Sequence, residues 1–354
     1  MGSIEIVEYT KRDLRELLAD DRFWVQPRLP ITKRRVASHI SNPRTDDNDT
    51  LLITARNQGQ LVAYLGILPD LIMSDSLEPM KFGWLTAWWA DKEGKSRTAA
   101  TMVLLTAMRK YSNRVAASFP SRDAIRVYDA TKQFQQCARF DLSYFVLALP
   151  RSFGVAGSFM GWVAGVKNSA ISNRRKVGKR GLEIRTADSL DEGVAPFINR
   201  WAATDPLRRD ASCWSWILKF PWISASREDE AEQKRYAFSV FAKQFRQIPV
   251  LVMRRGAIIA FLVLTFRDGR LYLKYAYYDL NDVLDVAAAL KVVIAEVNPW
   301  VFVSADPALN VALRKGFPFY LARRKKSAVV YSAKVLPSLV SSRPQFGVGD
   351  IIFT

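Results

Sequence analysis

The chain has 354 residues, 49% hydrophobic and 12% aromatic, enough apolar material for two ordinary domains and too much for a disordered chain. Its 52 basic and 34 acidic side chains give a formal charge of +18, and two cysteines with one histidine exclude a disulfide framework and an ordinary zinc site. Residues 1–150 carry 21 basic and 17 acidic side chains (+4), residues 151–354 carry 31 and 17 (+14), so a negatively charged partner is expected on the second half.

Cys137 and Cys213 lie far apart, with no C-x-x-C or H-x-x-x-H spacing, so a reducing, cytoplasmic setting is expected. Met1-Gly2-Ser3-Ile4-Glu5 lacks the basic start and apolar run of a signal peptide. Ile6 stands where a myristoylation motif needs Ser or Thr.

In chain order, residues 13–18 have helical spacing, and residues 33–40 read as a short helix with a solvated basic face. His39 reads as a surface or core-edge histidine, since few partners for catalysis stand near it in sequence. Residues 51–55 and 61–68 read as strands joined by the turn Asn57-Gln58-Gly59-Gln60. A strand follows over 82–90, then a basic, small-residue turn from Asp91 to Ala100 that opens a helix over 101–111. Such a turn is a plausible anion cradle: backbone N–H groups at a helix start are unpaired, and the helix dipole favours negative charge there. A strand over 114–119, a helix over 122–134 and a strand over 142–149 complete the first half.

Residues 153–166 are apolar and glycine-rich but shorter than the ~20 residues a bilayer span needs. They precede the basic run Arg174-Arg175-Lys176-Val177-Gly178-Lys179-Arg180, a combination that permits peripheral contact with an anionic membrane but is better read as a linker or packed helix. Beyond it, strands over 250–253, 257–266 and 271–279, a helix over 282–297, a strand over 300–305, a helix over 307–315 and a strand over 327–332 repeat the earlier outline. The lag of about 190 residues is that of a tandem duplication. The division expected is 1–150, a linker over 151–180, and 181–354.

Strand–turn–strand–turn–strand–helix–strand–helix–strand, with an anion-cradling turn after the central strand, resembles the GCN5-related N-acetyltransferase superfamily. The family's turn, Arg/Gln-x-x-Gly-x-Gly/Ala, falls on Lys95-Ser96-Arg97-Thr98-Ala99-Ala100, with Ser96 and Thr98 where glycine is usual and Lys95 for Arg or Gln. The segments Tyr64-Leu65-Gly66-Ile67-Leu68-Pro69-Asp70 and Trp216-Ile217-Leu218-Lys219-Phe220-Pro221-Trp222 are similar to a bacterial branch associated with surface-polysaccharide assembly. The resemblance implies an α/β (α+β) fold of two tandem domains, each a mixed, mostly antiparallel sheet flanked by helices.

It further implies acetyl-CoA or another acyl-CoA as co-substrate, with no metal. Ala87, Trp88, Trp89 and Ala90 would hold its pantetheine and carbonyl. Lys95, Ser96, Arg97, Thr98, Ala99 and Ala100 would hold its pyrophosphate. Tyr128 stands where the family often has its general acid, and Asp91 and Asp70 at strand ends are candidate bases, each equally readable as a turn former. Strand alternation puts Trp84 and Trp88 on one face and Trp89 on the other. The second half, with Leu280-Asn281-Asp282 in place of a basic cradle, is expected to have lost cofactor binding.

The leading expectation is therefore an N-acyltransferase acting on a phosphate-bearing amino sugar on a nucleotide- or lipid-linked carrier. Two alternatives stand beside it: a nucleic-acid-directed protein using the basic, tryptophan-rich second half, and a non-catalytic binding module.

Overall fold

The computed structural model describes residues 3–73, 78–91, 96–148, 177, 180–187, 190, 193–315, 322–333 and 345–354. The first half runs β1 (Ile4–Thr10), α1 (Lys11–Leu18), α2 (Asp21–Trp24), α3 (Lys33–Ile40), β2 (Thr50–Asn57), β3 (Gln60–Met73), β4 (Pro79–Ala90), α4 (Ser96–Lys110), β5 (Val115–Ser118), α5 (Arg122–Thr131) and β6 (Gln135–Val146). The second runs β7 (Leu182–Thr186), α6 (Ala195–Ala202), α7 (Ala211–Lys219), α8 (Arg227–Gln233), β8 (Phe245–Arg254), β9 (Ala257–Arg267), β10 (Arg270–Tyr278), α9 (Val283–Val297), β11 (Val301–Ser304), α10 (Pro307–Ala312) and β12 (Ala322–Ser332). Among the described residues, apart from the 3-10 turns Leu280–Asp282 and Gly349–Phe353, the second list repeats the first element for element. Most of the apolar then basic stretch at 151–180 lies outside the described residues.

Local chemistry explains the boundaries. Thr10 caps α1 by accepting from the Asp13 N–H while Asp13 accepts from the Thr10 N–H, a reciprocal capping box. Three hairpins turn on two-residue loops with both φ values positive, at Gln58-Gly59, Arg255-Gly256 and Asp268-Gly269, the geometry that matches strand twist. At Gly269 the indole of Trp300 also lies so close that a Cβ would strike it, so glycine is required twice over.

All twelve strands form one sheet in the order β1-β2-β3-β4-β5-β12-β6-β11-β10-β9-β8-β7. At its centre the halves exchange their last strands. β12 lies between β5 and β6, and β6 lies between β12 and β11. The long antiparallel β6·β12 ladder runs from Gln135↔Ser332 to Val146↔Ala322. β4 is parallel to β5 and β10 to β11, while the steps β5·β12, β12·β6 and β6·β11 are antiparallel. Three reversals make β4 and β10 run in opposite directions, so their C-terminal ends meet opposite edges of the sheet.

One face is covered by α4 and α5 in the first half, through Val103, Leu104, Ala107 and Tyr128, and by α9 and α10 in the second, through Val286, Leu290, Val293 and Leu309. The other face carries a core shared by both halves, in which Phe82, Trp84 and Ala116 meet Trp214, Trp222, Tyr275, Ile352 and Phe353. The burial of these large side chains against each other favours the joining of the halves, at about 25 cal/mol per Å² of apolar surface. A buried ion pair adds direction: Arg44 pairs with Asp70 and donates to the Arg208 carbonyl of the second half at 2.6 Å.

The helix at 33–40 forms as expected, but its basic face is not wholly solvated. Arg35 is 5% exposed, with its guanidinium 4.2 Å from the Trp222 ring centroid. His39 is 1% exposed and packs on the same ring at 5.5 Å, which places it in the joint between halves and not at the surface. The sequence reading also has no counterpart for β1, β7 or α6–α8, all of them shorter than ten residues.

Candidate functional site in the first-half strand splay

β4 and β5 pair at Gly83↔Val115 and Trp84↔Ala116 and then part. β4 continues six residues further, to Ala90. Its edge facing β5 beyond Trp84 therefore has no strand opposite it among the described residues. The parting coincides with a bulge: the β3·β4 register shifts between Tyr64 and Gly66, and Ala87 takes φ +51. A bulge bends the strand and re-aims its side chains.

That bend changes the faces of the tryptophans. Trp84 packs in the shared core and donates from Nε1 to Asp70 at 2.9 Å. Trp89 lies with Ala87 against the α1–α3 core, and Trp88 packs on the α4–α5 side. Trp84 and Trp88 are thus on opposite faces, because the extra residue at Ala87 breaks the alternation that an unbulged strand would keep.

The splay has distinct walls. Ala87, Trp88, Trp89 and Ala90 are half-buried along it. The Trp88 indole N–H is buried without a hydrogen-bond acceptor among the described residues, so a donor is available there. Tyr128, on α5 behind the Ser121 N-cap, is 2% exposed and stacks between Trp88 (5.6 Å) and Phe134 (4.3 Å). Burial, and next the charge of Asp350, push its phenol above the usual range. At the start of α4, Ser96 and Ala99 are buried while Arg97 and Thr98 are exposed and Ala100 is half-buried; Lys95 lies outside the described residues.

The two candidate bases are engaged elsewhere. Asp91 ends β4 in an ion pair with Arg28 at 3.2 Å, and Asp70 holds Arg44 and Trp84. The structure supplies a carboxylate that sequence reasoning missed. Asp350, in the 3-10 turn Gly349–Phe353, accepts a 2.5 Å hydrogen bond from Ser118 Oγ at the end of β5. It is half-buried, and burial raises its pKa, opposed by the Ser118 hydrogen bond and then by Arg35 and Lys274. Gly349 lets this turn approach, since a Cβ there would meet Ser118 and Trp84 within about 3 Å. Nothing in the local pattern of residues 345–354 signals this placement, because the contact spans 232 residues.

The second half builds the same splay with different contents. β10 pairs with β11 from Arg270↔Val301 to Tyr272↔Val303 and then parts, with a register shift between Leu273 and Tyr275. Here the free edge of β10 is occupied. The Gln345 carboxamide accepts from the Ala276 N–H and donates to the Ala276 carbonyl, both at 3.0 Å, and the Gly347 N–H donates to the Lys274 carbonyl at 2.7 Å. Lys274 Nζ donates to the carbonyls of Ile351 and Thr354, and burial brings its pKa down to about 7. The start of α9 carries Asp282 and Asp285, both paired to Arg254, instead of a basic turn.

No protein-family model and no curated protein matches the chain. Solved structures do resemble it. A GCN5-related N-acetyltransferase from Anabaena variabilis superposes with a TM-score of 0.50 at 9% identity, over 93% of this chain and 72% of that one. One from Kribbella flavida has a TM-score of 0.49 at 12% identity, over 93% and 71%. N-myristoyltransferase from Saccharomyces cerevisiae with bound myristoyl-CoA has a TM-score of 0.47 at 12% identity, over 95% and 84%. At these identities the likeness to the Anabaena structure establishes the fold, which is that of the GCN5-related N-acetyltransferases.

Proposed function

We propose that the protein is an acyl-CoA-dependent N-acyltransferase whose coenzyme lies in the first-half splay. The observation that carries this reading is the open edge of β4 after the bulge at Ala87, together with a first turn of α4 that holds Arg97 and no acidic residue. An extended pantetheine can pair with such an edge as a strand would. Arg97 and the first N–H groups of α4 are suited to a pyrophosphate. The buried, unpaired Trp88 N–H fits a carbonyl acceptor on the same ligand.

Transfer of an acyl group to an amine forms a C–N bond, breaks the C–S bond and moves two protons. The nitrogen gives up two protons on its way from ammonium to amide; the departing thiolate takes one, and the other is released. Asp350, with its raised pKa and its hydrogen bond from Ser118, is placed to accept the first. Tyr128, held as a neutral phenol by burial, is suited to protonate the thiolate and to recover its proton from the nitrogen as the amide forms. The acceptor we favour is a phosphate-bearing amino sugar, because the net +18 charge draws anionic carriers toward the protein.

Calorimetric titration with acetyl-CoA, beside Arg97→Glu, tests the reading. Saturable binding should weaken at least about tenfold in the variant, since one attractive charge becomes repulsive. Absence of binding by the parent protein at ~1 mM acetyl-CoA, or binding that Arg97→Glu leaves intact, rejects this site.

A further inference from the structure

A cavity of about 560 Å³ opens where β10 parts from β11 in the second half. Its walls come from Trp201 in the last turn of α6 and Asp205 just beyond it, from Tyr275 to Tyr278 on β10 and Asp279 after it, from Asp306 before α10, and from Gln345. Among the described residues three of the lining side chains are carboxylates, Asp205, Asp279 and Asp306, and none is Lys, Arg or His. That inverts the sign of the whole chain, which carries +18.

The carboxylates are held in place. Asp205 accepts from the hydroxyls of Tyr275 and Tyr277, both at 2.5 Å, and from the Leu207 N–H. Asp306 accepts from the Tyr278 hydroxyl at 2.9 Å while capping α10. Trp201 stacks on Tyr277 at 6.2 Å and 7°, so a broad aromatic surface stands beside the acidic groups. Arg200 and Arg209 lie over rings of this wall but do not line the cavity.

We propose that this cavity binds a small primary amine, at a site separate from the acyl-transfer cleft. An ammonium suits both features of the wall. It gains charge-assisted hydrogen bonds from carboxylates and attraction from aromatic faces. The volume is that of a small-molecule site. An acyl-CoA is disfavoured here on two counts: Gln345 occupies the backbone of Ala276, and the acidic start of α9 repels a pyrophosphate. Five strand steps separate β10 from β4, roughly 24 Å, and the two splays open on opposite edges of the sheet. An amine held here does not reach a thioester in the first half.

The test is calorimetric titration of the full chain with putrescine and with glucosamine, which share a primary ammonium on different frameworks, and with neutral N-acetylglucosamine. At least one amine should bind saturably, and N-acetylglucosamine about tenfold more weakly or not at all. Trp201→Leu and Asp279→Asn should each weaken the amine at least about fivefold and leave acetyl-CoA titration unchanged. Asp279 is exposed, so its variant keeps the fold testable. Silence from both amines at ~10 mM overturns the proposal, as does equal binding of the neutral sugar, indifference to both variants, or displacement of the amine by acetyl-CoA. Acetyl-CoA titrated alone reports on the first-half site, so either reading can fail without the other.

Discussion

The two halves place a bulge at matching points of β4 and β10, next to Trp84↔Ala116 in one and Tyr272↔Val303 in the other. Beyond the bulge they diverge. In the first half the strand edge is open and the following helix begins with an exposed arginine, Arg97. In the second, the edge is taken by Gln345, and the helix begins with Asp282 and Asp285. The architecture repeats because folding needs the same apolar faces in both halves. The charges at the helix starts are not needed for burial, so they are free to differ. A shared fold therefore says little about shared chemistry, and the ends of strands and helices must be compared side by side.

Residues 345–354 make this contrast sharper, because they touch both splays. They close the edge of β10 through Gln345 and carry Asp350 to Ser118 in the first half. Asp350→Asn should lower kcat by about 10²–10⁴-fold with acetyl-CoA affinity unchanged. In the parent protein the rate should fall as pH drops through the raised Asp350 pKa, above the ordinary carboxylate range, because protonation removes the proposed base. That acidic limb should vanish in the variant. Gln345→Ala, which touches only the second half, should leave kcat within about twofold. Equal losses in both variants would show that the segment is a structural strap and that Asp350 is not the base.

The parts of the fold with strong periodicity could be read directly. The three hairpins, the strands 82–90 and 271–279, the helix at 33–40 and the repeated order of elements all follow from alternation and turn chemistry. The exchange of β6 and β12 could not, because each strand has the same pattern whichever neighbour it takes. Of the candidate site, Tyr128 and the half-buried stretch from Ala87 to Ala90 lie along the splay, while Asp350, the base we propose, left no sign in the sequence. Asp91 and Asp70 stand at strand ends, where a turn former and a catalyst look alike, and each proves ion-paired. The run Tyr275-Ala276-Tyr277-Tyr278 was the one available signal of the second cavity, since tyrosines on both sides of a strand end must find polar partners.

The joint between the halves offers a test of whether they fold as one. His39 on α3 packs against Trp222 from the second half. Burial, and then Arg35, hold its pKa down at about 3 against 6.5 unperturbed. Below pH 6.5 the unfolded chain takes up a proton that the folded chain refuses, so stability present above that pH is lost as pH falls. By pH 5 the total loss is about 2 kcal/mol, the slope approaching ~1.4 kcal/mol per unit below pH 6.5. His39→Phe should flatten that slope in chemical denaturation, and it should do so for a single transition of the whole chain. Two transitions, only one of them pH-dependent, would show that the halves are energetically separate despite the common sheet.

The smallest effect lies at the bulges. Ala87 sits at φ +51, where a Cβ crowds the backbone, whereas Lys274 at the matching place keeps φ negative. Ala87→Gly relieves that crowding but loosens the unfolded chain, so a net gain of about 0.5–1 kcal/mol is expected in denaturant midpoint. Glycine at Lys274 has no crowding to relieve, and it removes a buried side chain that donates to Ile351 and Thr354, so it should run the other way. If both changes destabilise, the left-handed turn at Ala87 is not strained and the first-half splay is set by packing of Trp88 and Trp89. If Ala87→Gly stabilises while acetyl-CoA binding weakens, the bulge holds the open edge of β4 at some cost to folding, and the difference between the halves was kept for the ligand.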